Sequence, residues 1–124
     1  MTAVRPLPQW LTVSTGRAPA VIEGRACRTR AAFFEEAARV LRFPSYFGHN
    51  WDAFADSLGD VTRAGKLTLV VEHAEDLLRA EPPEHFAALL GILAEATRTG
   101  LTVTLYTSAD HEAPLRRRAA EAVS

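Results

Sequence analysis

The chain is poor in features that mark several classes of protein. Cys27 is the only cysteine among 124 residues, so no internal disulfide can form, which fits a reducing compartment. No apolar run approaches the ~20 residues needed to cross a bilayer. The opening MTAVRPLPQWLTVSTG carries one Arg and two prolines and lacks the apolar stretch of a secretory leader. A cytoplasmic protein is therefore expected. The formal net charge is −1, so any electrostatic role must come from local patterning. There is no HExxH, no paired cysteines and no His cluster. Gly59 and Gly65 do not make a phosphate loop, and Ser57 falls mid-helix, so no nucleophile elbow is present. His73, His85 and His111 are scattered and read as surface or half-buried residues. These absences point away from an enzyme, and no cofactor or metal is expected.

What is present suggests one domain with enough hydrophobic residues, 48%, to bury a core. Residues 1–19, rich in Pro, Thr and Gly, read as an N-terminal extension, with a possible short strand over Gln9–Ser14. Ala20–Glu23 reads as a first core strand. Thr29 can cap a helix reaching Leu41, which Pro44 bars from continuing. A second helix is predicted from Asn50 to Gly59. Lys66–Glu72 reads as a strand buried on both faces, and Ala74–Leu78 as a helical turn. Pro82 and Pro83 suit the start of another helix, ended by Gly100. Leu101–Thr107 alternates apolar residues with Thr, the pattern of a strand with one face more covered than the other. Residues 109–124 read as a C-terminal extension in which Pro114–Val123 forms a basic helix with Arg116, Arg117 and Arg118. The order predicts an α/β fold, a small three-stranded parallel sheet packed with helices, with the domain proper at 20–108.

The most informative segment is FPSYFGHNWDAFADSLGDV, residues 43–61, with three aspartates and no Lys or Arg. On a helix, Asp52, Asp56 and Asp60 fall four apart and line one face. Like charges at that spacing repel by a few tenths of a kcal/mol per pair, so an uncompensated stripe is suited to a positive partner. Phe54, Leu58 and Trp51 form the opposite, buried stripe, and His49 lies just before the band of carboxylates. Phe47 is expected as a core plug and Tyr46 as an exposed aromatic beside charge, an interface composition. The residues alone leave three readings open: a solvated polar face, a surface for a basic protein, and a metal or acid–base site made of His49, Asp52 and Asp56. Binding to nucleic acid is disfavoured, because the stripe repels phosphate.

FPSYFGHNWDAFADSLGD resembles the signature of barstar-like proteins, intracellular inhibitors of secreted microbial ribonucleases. The family pattern is an apolar residue and Pro, an aromatic-aromatic-Gly loop, Asn, Asp, and a second Asp four residues on. VIEG, TLVVE and AEATRTGLTVTLYTS are similar to the family's strands and the end of its last helix, so the likeness spans about residues 20–108. The resemblance implies a protein inhibitor, a monomer bound 1:1 to its target. It implies that Asp56 occupies the nuclease's phosphate site and that Asp52 lies one turn earlier. Tyr46 would pack on catalytic residues, and Gly48 and Asn50 would lie against the enzyme. Glu95 would add an outlying negative contact. Ala55 stands where the family's best-known member has tryptophan, Trp51 where it has leucine, and His49 where it has an acid. Trp51 is thus open to two roles, covering the area beside Ala55 or filling the core. An immunity-type module for another basic toxin is the alternative.

Overall fold

The computed structural model describes residues 5–124. Its elements are β1 (Ala20–Glu23), α1 (Arg30–Leu41), α2 (Trp51–Ala64), β2 (Leu67–Glu72), α3 (Pro83–Ala96), β3 (Leu101–Leu105) and α4 (Ala109–Val123). The three strands form one parallel sheet in the order β1-β2-β3. Each connection between parallel neighbours needs a crossover, and the helices supply it. Ile22 pairs in register with Val71, Val71 with Leu105, and Leu67 with Leu101. Registered residues share a face, so Ile22, Leu67, Leu69, Val71 and Leu101 meet the helices in one core. The other face carries Val21, Thr68, Val70, Thr102 and Thr104, none of them buried. The expected burial of β2 on both faces is therefore corrected: its alternating pattern leaves Val70 only half-buried. Among the described residues, no helix is long and apolar enough to cross a membrane.

Local chemistry sets most boundaries. Thr29 accepts a hydrogen bond from the Ala32 amide at 3.1 Å, capping α1. Arg42 ends that helix in the left-handed conformation, φ 57°. The predicted stop of α2 at Gly59 is wrong: the helix runs on to Ala64. Gly inside a helix costs only about 1 kcal/mol, and the continuation buries Thr62 and packs Val61 on the core. Helix α4 begins at Ala109, five residues before the expected Pro114. The hydroxyl of Ser108 meets the His111 ring at 2.7 Å, and Asp110 and Glu112 suit the positive end of the helix. Leu115 joins the core, so α4 packs as part of the same body. No strand forms over residues 9–14; Pro8 instead accepts the Leu11 amide in a turn at 3.0 Å, and no sheet edge pairs with the segment.

Between β1 and α1 the backbone comes very close to the end of β2. A Cβ on Gly24 would lie 2.2 Å from the His73 carbonyl oxygen, which only glycine avoids. Beside it Cys27 is fully buried, and that burial, with the Glu36 and Glu23 carboxylates, pushes its thiol up to about 12.

Candidate protein-binding site

The loop between α1 and α2 is fixed from below by aromatic rings. Phe47 is buried and packs against Phe34 at 6.0 Å and Phe43 at 5.0 Å between centroids. Phe54, on the inner face of α2, meets Phe33 at 5.3 Å and Phe43 at 6.0 Å. Such tilted and edge-on pairs add about 0.5–1.5 kcal/mol each beyond the area they bury. Trp51 resolves toward the core. It is half-buried, 4.8 Å from the Phe34 ring and 6.1 Å from Phe54, and its indole N–H donates to Nδ1 of His85 at 3.1 Å. That bond requires an unprotonated Nδ1, and it ties the first turn of α2 to α3.

The start of α2 is set by Asn50. Its Oδ1 accepts from the Ala53 amide at 2.8 Å, and its Nδ2 donates to the Gly48 carbonyl at 3.1 Å. A Cβ on Gly48 would sit 3.3 Å from that same Nδ2, so the cap and the glycine fit together. His49 takes a left-handed φ of 49°, and its ring lies 5.1 Å from Phe47. The aromatic floor and the cap together give the surface above them a defined shape.

On that surface Tyr46 is 86% exposed, with its neighbour Phe47 folded inward. Asp52, Asp56 and Asp60 all face solvent, and Ala55 is half-buried beside them. The three carboxylates are not equivalent. Asp60 pairs with Arg63 of the same helix at 2.7 Å. Among the described residues, no cation lies within ion-pairing distance of Asp52 or Asp56. The uncompensated stripe therefore has two members, not three. A helix stopped at Gly59 leaves Arg63 out of play; continued by one turn, it puts Arg63 at i+3 from Asp60. The guanidinium of Arg63 also lies 3.1 Å from the place a Gly59 side chain would fill, so it covers the bare part of the helix.

Glu95 is exposed on α3, with Arg98 at 3.5 Å, so its charge is shared. His49, Asp52 and Asp56 do not converge. Among the described residues, the one trio of His, Cys, Asp or Glu with ligand atoms all within 4.8 Å is Glu23, Glu72 and His73, at the far ends of β1 and β2. His85 had no sequence signal for its role, since its partner Trp51 is 34 positions away.

No curated protein matches the chain. The model of the family described as Barstar (barnase inhibitor) matches residues 17–115, which take in every strand, the aromatic floor, the cap and both unpaired carboxylates. The protein belongs to the barstar, or barnase inhibitor, family.

Proposed function

We propose that the chain inhibits a guanyl-specific secreted microbial ribonuclease, binding it 1:1 and closing its active site with the first half of α2 and the loop before it. A site that cleaves RNA gathers Arg, Lys and His to hold phosphate and to stabilise the charge that develops in the transition state. Two carboxylates one helical turn apart, presented by a rigid backbone, offer such a site the anions it is built to hold. Asp56 takes the place of a phosphate and accepts charge-assisted hydrogen bonds from arginines. Asp52 adds charge one turn nearer the loop. Tyr46 covers the catalytic groups and excludes water, which strengthens the bonds beneath it. Gly48, His49, Asn50 and Ala55 form the low surface around these three, Phe47 and Trp51 hold that surface from inside, and Glu95 contributes at the periphery.

The observation that carries this reading is the state of Asp52 and Asp56. Both are exposed and lack a partner on a helix whose start is locked by a cap and an aromatic floor. A preorganised anionic face loses little entropy on binding. Opposite charge draws the partners together faster, an effect that salt screens. The barnase–barstar pair is the established case of such coupling between charges across an interface.

The test is a titration of the purified protein into barnase and into other guanyl-specific ribonucleases, read with a fluorogenic RNA. Stoichiometric loss of cleavage, with association slowed at high salt, is expected for the cognate enzyme. Full cleavage by every such enzyme at micromolar protein would overturn the proposal.

A further inference from the structure

Away from the α2 face, a cavity of about 540 Å³ opens between α3 and α4. That volume lies within the range of small-molecule sites, roughly 300–1,000 Å³. Its floor is apolar, made chiefly by Phe86 and Ala87 of α3 and by Leu115 and Ala122 of α4. Arg118 also lines it, with its guanidinium carbon 3.9 Å from the centre of the Phe86 ring.

The Phe86 ring face meets the Arg118 charge on one side in a cation–π contact, but it takes up none of the N–H donors. Among the described residues, its Nη1 is the one buried side-chain nitrogen or oxygen without a hydrogen-bond partner. No carboxylate lies within ion-pairing distance of it. Burial and the nearby charge of Arg79 both disfavour its protonated form. A half-buried guanidinium donor without an acceptor is costly, and proteins ordinarily avoid it. The other charges on the lining are already engaged or face water. Arg79 pairs with Asp76 at 3.4 Å. Glu75 accepts from Thr107 at 2.7 Å, and Glu81 from the Arg30 amide at 2.7 Å. Glu84 and Glu121 are exposed, where solvent screens them.

We propose that this cavity binds a small monocarboxylate with an apolar body, its carboxylate on Arg118 and its body against Phe86 and Leu115. The guanidinium supplies a planar fork of donors that fits a carboxylate. Inorganic phosphate lacks the apolar body that the floor would hold, and its higher charge is repelled more strongly than a monocarboxylate by whatever field Glu84 and Glu121 retain at the rim. Ligand binding here is independent of the α2 surface, so it is read on the isolated protein without a nuclease.

The experiment is an NMR titration of the full chain with 3-phenylpropionate, with its primary amide and inorganic phosphate as parallel arms. The carboxylate is expected to shift the amide signals of Ala87, Leu115 and Ala122 saturably, while the amide and phosphate leave them in place. Arg118→Met should weaken that binding at least tenfold and leave ribonuclease inhibition unchanged. Ala122→Phe, which fills the cavity but keeps the arginine, should also abolish it and decides the matter if Arg118→Met does not fold. No saturable shift, equal shifts with the amide or phosphate, or parent-like binding by a folded Arg118→Met or Ala122→Phe protein would overturn the proposal.

Discussion

The two halves of α2 carry the same residue type at the same spacing and treat it differently. In the first half, Asp52 and Asp56 face water without a partner. In the second, Asp60 is held by Arg63 at 2.7 Å. The first half is also the one braced by the Asn50 cap and the Trp51–His85 bond. The second half is held as well, with Leu58 and Thr62 buried and Val61 on the core, but there the aspartate is neutralised. A carboxylate's position on a stripe does not fix its availability; the next turn of the helix does.

That contrast can be broken by substitution. The largest effect is expected from Asp56→Ala, which should weaken inhibition of the cognate ribonuclease by about 3 kcal/mol, on the order of a hundredfold. Its urea midpoint should stay close to the parent's, because the side chain is exposed and unpaired. Tyr46→Ala follows, at about 1–2 kcal/mol in binding, measured by the same inhibition assay. Asp52→Ala should cost less than Asp56→Ala and should mainly slow association, an effect visible by stopped flow and erased at high salt. Asn50→Ala sharpens the structural side of the contrast. It removes a cap and should lower unfolding stability by about 1 kcal/mol in urea titration. The smallest effect belongs to Asp60→Ala, which breaks an exposed pair and should change both stability and inhibition by less than about 0.5 kcal/mol.

Alkaline pH provides a test of the core that supports both halves. The Cys27 thiol is raised to about 12 in the folded protein from an ordinary 9.0. The unfolded chain therefore loses this proton first as pH rises, and the thiol's contribution to stability is complete below pH 9 and falls away between there and 12. Labelling of Cys27 by a thiol reagent at pH 8 should be slow in the folded protein and fast in urea.

Much of the fold was legible because its signals are local. Thr29, Pro44 and Pro83 mark ends that need only a few residues of context, Gly100 closes a 3-10 turn, Thr97–Thr99, that follows the end of α3 at Ala96, and the alternation in Leu101–Leu105 announces a half-covered strand. Gly59 misled because helix propensity is a weak prior that packing overrides. Pro114 misled because proline suits a first turn, whereas here the helix already runs through it from Ala109. The exposed Tyr46 above a buried Phe47 was legible from crowding, since a short loop cannot hide both rings. The clamp between Trp51 and His85 was not, because it joins two helices across the chain. Nor was the pairing of Asp60, which depended on where α2 ends.

The most direct measurement compares Asp56→Ala with Asp60→Ala in one inhibition series against the cognate ribonuclease, at low and high salt. A loss of roughly a hundredfold or more for Asp56→Ala beside a near-parent Asp60→Ala is the predicted result. Equal inhibition constants for the two variants would contradict the claim that the unpaired half of α2 is what the nuclease binds.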